Sequence, residues 1–143
     1  MKSILVICEG NICRSPMAEG LLREALPGVE LRSAGLGALV GMPADPICVR
    51  LLADRGIDIR GHRASQVTRS DCLRADLILV MDTEQKQRLS NLYPEVRGRV
   101  FRIAERAAAD VEDPYRRPEP VFHAVLTKLE SNVDEWQRVL RRC

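Results

Sequence analysis

No stretch of this sequence is apolar for long enough to cross a membrane or to form the core of an export signal: Met1-Lys2-Ser3 is followed by five apolar residues and then by Glu9. A charge imbalance is missing too. The 22 basic and 20 acidic residues leave a net charge of +2, so no overall field argues for nucleic acid or an anionic membrane as partner. The only histidines are His62 and His123, and no second Cys/His pair stands at zinc-ligand spacing, which argues against a metal site. The cysteines at 8, 13, 48, 72 and 143 form an odd set without a regular framework, as expected of free thiols in a reducing compartment, here the cytoplasm. Internal repeats, low-complexity tracts and Gly/Ser linkers are absent. The 143 residues, 45% hydrophobic and 29% charged, are therefore expected to form a single domain over 1–143 that buries roughly two-thirds of its unfolded surface. Nothing in the sequence sets an oligomeric state.

Short apolar runs alternate with longer amphipathic stretches, the pattern of βα units. Ile4 to Ile7 and Leu77 to Met81 are continuous apolar runs, suited to central strands of a parallel sheet, whereas Glu30 to Ser33 and Arg99 to Arg102 are short and flanked by charge, suited to edges. A first helix is expected from a Ser15-Pro16 cap-and-proline start to Pro27-Gly28, a second from Asp45-Pro46 to Gly56, and a third from an Asp82 cap to Tyr93-Pro94. The last, from about Glu119, places Phe122, Val125, Leu126, Leu129, Val133, Trp136 and Leu140 at helical spacing. The fold class is α/β: a four-stranded parallel sheet with helices on both faces. In such folds ligands bind beyond the carboxyl ends of the strands, where Cys8 ends the first.

The loop between the first strand and first helix is CEGNICRS, Cys8 to Ser15. Gly10 and Asn11 tolerate positive φ, so consecutive backbone N–H groups can curl into an anion-binding nest at the start of a helix. Arg14 adds a planar fork for two phosphate oxygens. The same field favours a thiolate at Cys8, helped by a Ser15 hydroxyl, and makes it a nucleophile. A leaving alcohol or phenol then needs a proton, for which Asp113 in VEDPYRRP is a candidate, with Asp110 and Glu112 as rivals. Glu9 is out of place beside an anion. It is expected to give the loop only its N–H and to point its carboxylate to the rim, where it repels acidic neighbours; Glu9→Gln should then lower KM for acidic phosphopeptides.

Cys8-x5-Arg14-Ser15-Pro16 with Gly10-Asn11 and Cys13, then Ser33-Ala34-Gly35, then Asp113-Pro114-Tyr115, resembles the low-molecular-weight protein tyrosine phosphatases over nearly the whole chain. The stretch Ser33 to Gly41 is similar to the bacterial subgroup acting on tyrosine autokinases that control capsule or exopolysaccharide export. The resemblance implies Cys8 as nucleophile, Arg14 as phosphate clamp and Asp113 as the acid that later activates water, with neither metal nor organic cofactor. It also implies that Asn11 is held in a left-handed conformation by Ser15, Ser33 and His62. Animal members carry a tryptophan near residues 38 to 40 and an aromatic after Asp-Pro-Tyr; here Ala38-Leu39-Val40 and Arg116 stand there. Ile12, Leu39 or Val40, and Tyr115 are therefore expected to line the ring slot, with Arg116 and Arg117 facing acidic neighbours of the phosphotyrosine.

Other readings of the same residues are weaker. A lone Cys-x5-Arg would suit a plain strand-to-helix turn with a structural cysteine, and a Cys8–His62 hydrolase would leave Arg14 unexplained. Arsenate reductase of related fold needs a closely spaced cysteine pair that Cys48 and Cys72 do not form. Protein-arginine phosphatase has a threonine at the position of Ile12, and a phosphotyrosine-reading module has no use for both thiol and acid. Cys13 has two readings, a small apolar filler or a disulfide partner that protects Cys8 from over-oxidation.

Overall fold

A computed structural model describes residues 1–141; Cys143 lies outside the described residues. The chain runs β1 (Ser3–Cys8), α1 (Arg14–Ala25), β2 (Glu30–Gly35), α2 (Pro46–Ala53), α3 (Arg69–Arg74), β3 (Leu77–Val80), α4 (Thr83–Leu92), β4 (Val100–Arg102) and α5 (Glu119–Leu140). The four strands form one parallel sheet in the order β2-β1-β3-β4, so the two continuous apolar runs are its centre and the two charged segments its edges, as their composition requires.

Strand alternation sorts the core into two layers. Ile4, Val6, Leu77 and Leu79 pack with Met17 and Leu22 of α1 and with Phe122, Leu126 and Leu129 of α5. Leu5, Ile7, Ile78 and Val80 face the other way, onto Cys72 of α3 and Leu89 of α4. Both faces of β1 and β3 are thus covered by helices. No helix among the described residues is long and apolar enough to cross a membrane.

Asp45 and Asp82 cap α2 and α4 by accepting from the N–H groups of Ile47 and Gln85. The helix α3, with a capping box between Thr68 and Asp71, has no counterpart in the apolar pattern, because its six residues bury only Cys72. At the start of α1 the expectation is corrected: Cys13 is the cap residue, and Ser15 lies inside the helix with its hydroxyl turned to the loop.

β1 leads into α1 on one face of the sheet and β3 into α4 on the other. The crevice between those two departures is where Cys8 emerges, with the start of α4 as its opposite wall.

Candidate active site

The Cys8–Arg14 loop wraps a cavity of about 160 Å³ lined by Cys8, Glu9, Gly10, Ile12, Cys13, Arg14, Gly37, Leu39, Asp113 and Tyr115. Nine of these ten are residues expected from the sequence to act there; Gly37 is the addition. Val40 is a correction. It is 70% exposed and outside the cavity, because the N–H of Leu39 bonds to the Gly10 carbonyl at 3.1 Å and fixes Leu39 inward, so its neighbour in the turn faces solvent.

Behind the loop, Asn11 is fully buried at φ 60°, a left-handed conformation that asparagine tolerates better than most residues. Gly10, in contrast to expectation, is not at positive φ, so asparagine alone makes the turn. Four groups hold Asn11. Its side-chain N–H groups donate to Ser15 Oγ (2.7 Å) and Ser33 Oγ (3.1 Å), its Oδ1 accepts from the Ser65 N–H (2.9 Å), and His62 Nε2 bonds its carbonyl at 2.7 Å. Ser33 Oγ in turn donates to Glu19 Oε1 at 2.7 Å. Because Ser15 Oγ accepts from Asn11, its proton is free to point at Cys8 Sγ, 3.0 Å away. A chain of donors therefore runs from the Asn11 amide through Ser15 to the sulfur.

Gly35, at the end of β2, abuts the loop from below. A Cβ there would lie 2.6 Å from the Glu9 carbonyl oxygen, so only glycine lets the two backbones approach.

Cys8 is 2% exposed. Burial pushes its thiol up; the Arg14 guanidinium, the Ser15 hydroxyl and the N–H groups of Ser15 and Asn11 pull it down. Burial is the larger influence, and Arg14, whose charge favours the thiolate, is shared with two carboxylates. The four donors still act on the reacting form. Ser15→Ala removes one of them and pushes the thiol further up, so alkylation of Cys8 by iodoacetamide at neutral pH, followed by mass spectrometry, should slow about tenfold. An unchanged rate would show that the hydroxyl does not bear on the sulfur. The neighbouring Cys48 and burial push the Cys13 thiol up.

Arg14, 4% exposed, donates from Nη1 to the Val111 carbonyl (2.9 Å) and lies 3.6 Å from Asp82 and 3.7 Å from Asp113. Its Nε is buried without a protein partner. A buried guanidinium N–H left unmatched costs on the order of 1–3 kcal/mol or more, which marks it as a donor reserved for a ligand. Asp82 and Val111 were missed as Arg14 partners by sequence reasoning. Asp82 reads fully as a helix cap, and a carbonyl carries no sequence signal.

The three rival acids separate cleanly. Asp110 is anchored by Thr83 (3.1 and 3.0 Å) and Arg102 (3.1 Å), and Glu112 pairs with Arg117 at 2.9 Å. Asp113 alone of the three lines the cavity, oriented by the Tyr115 N–H at 3.1 Å. The two arginines expected at the rim are partly committed: Arg117 to Glu112, and Arg116, at φ 63°, to the face of the Tyr115 ring 5.2 Å away. Glu9 is likewise not a bare charge, since Arg88 grips it.

A buried thiol, an unmatched guanidinium N–H and a carboxylate around one small cavity at the mouth of a parallel sheet define a cysteine-dependent phosphatase. The family model "Low molecular weight phosphotyrosine protein phosphatase" matches residues 3–143, and the chain belongs to that family. It is 53% identical over 136 residues, 95% of this chain and 94% of the relative, to the probable low molecular weight protein-tyrosine-phosphatase EpsP of Ralstonia nicotianae. Among solved structures it is similar to the tyrosine phosphatase Wzb of Escherichia coli K30 in complex with sulphate (TM-score 0.93, 38% identity, 97% and 98% of the two chains). It is also similar to the YwlE arginine phosphatase of Geobacillus stearothermophilus (TM-score 0.93, 33% identity, 99% and 94%).

Proposed function

We propose that the chain hydrolyses protein phosphotyrosine through a phosphocysteine at Cys8, and that its substrate is a bacterial tyrosine autokinase governing exopolysaccharide or capsule production. The observation that carries the chemistry is the buried, unpartnered Nε of Arg14, a residue that lines the same small cavity as Cys8. A phosphate monoester placed there receives that N–H and the loop amides on its oxygens, with phosphorus in line with Sγ. The Cys8 thiolate attacks phosphorus as the ester P–O bond breaks, the electron pair goes to the phenolic oxygen, and Asp113 delivers the proton that oxygen needs. Asp113, now a carboxylate, takes a proton from water as that water attacks phosphorus; the S–P bond breaks, and phosphate leaves with the thiolate restored.

Ile12, Leu39 and Tyr115 give the cavity apolar walls, which suit a phenyl ring. Supporting this reading are the relatives named as tyrosine phosphatases; the autokinase and the cytoplasmic setting rest on the likeness to that subgroup alone.

Asp113→Ala tests the reading. For phosphotyrosine, a poor leaving group, kcat/KM should fall about 10²- to 10⁴-fold, whereas for p-nitrophenyl phosphate, whose phenolate departs unaided, the loss should be far smaller. Equal losses on both substrates would remove Asp113 from the acid role. Faster turnover of phosphoarginine than of phosphotyrosine by the wild type would overturn the substrate class.

A further inference from the structure

Glu9 brings a negative charge into a loop built to bind an anion, and its side chain is not left to solvent. Its carboxylate accepts from both terminal nitrogens of Arg88 on α4, at 2.8 and 3.3 Å. Gly37 makes the seat. Its N–H bonds the Glu9 carbonyl at 3.0 Å, and a Cβ at Gly37 would fall 2.5 Å from Glu9 Oε2. Arg88 also stands 3.6 Å from Glu84, one turn back on the same helix.

The pair does little for stability, because both side chains are about two-fifths exposed (41% for Glu9, 39% for Arg88) and an ion pair in such a setting is largely screened. Its position is what matters. Glu9 and Gly37 both line the cavity that holds Cys8 and Arg14, so the charge state of this wall is felt by any anion entering the loop. The same helix α4 is capped by Asp82, which faces Arg14, and thus sets the charges at two points of the phosphate loop.

We propose that Arg88 is a specificity-determining residue: by clamping Glu9 against Gly37 it cancels the one negative charge on the phosphate loop and admits phosphotyrosine flanked by acidic residues. This rests on the phosphatase reading above. It also changes the meaning of Glu9, which is not a standing repeller of acidic peptides but a charge whose effect is switched off by its partner. Loss of Arg88 turns it on. Loss of Glu9 frees the Arg88 cation at the rim, and loss of both returns the wall to neutrality.

The test is a double-mutant cycle of Arg88→Gln and Glu9→Gln, with kcat and KM measured on p-nitrophenyl phosphate and on a phosphotyrosine peptide with acidic neighbours, at low and high salt. Arg88→Gln should raise KM for the acidic peptide about fivefold at low salt and less for the aryl phosphate, with kcat unchanged. Glu9→Gln should lower KM by about threefold. The double variant should return to within about twofold of wild type, and all differences should shrink as salt shortens the Debye length to roughly 3 Å at 1 M. Protection of Cys8 from iodoacetamide by inorganic phosphate reads the same charges without turnover. A wild type that binds phosphate but hydrolyses neither substrate overturns the phosphatase reading, while the order of phosphate affinities among the variants still decides this one. An Arg88→Gln variant with unchanged KM and phosphate affinity overturns the proposal, and so does a fall in kcat at constant KM, which would make the pair a brace of the loop.

Discussion

Cys8→Ser should lower kcat on p-nitrophenyl phosphate by about 10⁴-fold or more, while the affinity for inorganic phosphate stays within a few-fold of wild type. The two halves of this expectation have separate causes. Binding is the work of Arg14 and the loop N–H groups, none of which the substitution touches. Attack is the work of the sulfur, and oxygen cannot replace it here. A serine hydroxyl needs a base to take its proton, and the side chain bonded to Cys8 is the Ser15 hydroxyl at 3.0 Å, which already accepts from Asn11 and so is set to donate. His62 is spent on the Asn11 carbonyl, so it does not serve either. Burial already holds the thiol above its ordinary value, and an alkoxide in the same place would be far harder to form. Turnover by the serine variant within tenfold of wild type would end the phosphocysteine mechanism. If the expectation holds, the same variant keeps phosphotyrosine proteins bound and can be used to recover the physiological substrate from cells.

The parts of this site that were legible in the sequence are those whose cause is local. Apolar runs at Ile4 and Leu77 announce central strands because a strand buried on both faces has no polar alternation to hide, and the proline after Asp113 together with the tyrosine beyond it marks a turn that can present a carboxylate. What could not be read depends on pairs far apart along the chain. The Arg14 contact with the Val111 carbonyl spans 97 residues and the Arg88 grip on Glu9 spans 79. The Val111 carbonyl is present at every residue type, and Arg88 is one arginine among many on charged helix faces. Ser15 was misassigned for a different reason. Ser-Pro is the usual opening of a helix, but here the loop enters α1 two residues earlier, with Cys13 as the cap, and the hydroxyl is turned to the sulfur instead of to a backbone N–H. Leu39 and Val40 are alike in chemistry, so only the turn geometry decides which of them lines the slot. Asp82 shows the limit of a correct reading, since it caps α4 as its position implies and also faces Arg14, a second role that a cap signal conceals.

Arg14→Lys should lower kcat/KM about 10³-fold and leave the thermal midpoint within a few degrees of wild type. The buried guanidinium divides its donors: Nη1 goes to the Val111 carbonyl, with Asp82 and Asp113 at 3.6 and 3.7 Å, and Nε is left unmatched in a side chain that lines the cavity. Lysine keeps the charge and can satisfy either the carbonyl or a carboxylate, which is why the fold should tolerate it. It cannot do so and still hold parallel N–H groups toward the phosphate, because its ammonium is a point charge without a planar fork. The loss therefore falls on the transition state, where charge spreads over the equatorial phosphoryl oxygens and removal of one preorganised donor costs about 10²- to 10³-fold. Asp82 and Asp113 add to the effect. Their side chains are 27% and 48% exposed, so water solvates them when Arg14 is gone, and neither forces the lysine toward the phosphate. The measurement is kcat/KM on an aryl phosphate beside a melting curve. A variant that keeps kcat/KM within tenfold would show that positive charge alone suffices and that the fork has no part in the chemistry. A variant that melts early would move the loss from the phosphoryl group to the fold, and phosphate affinity measured below the melt would then distinguish a missing clamp from a missing structure.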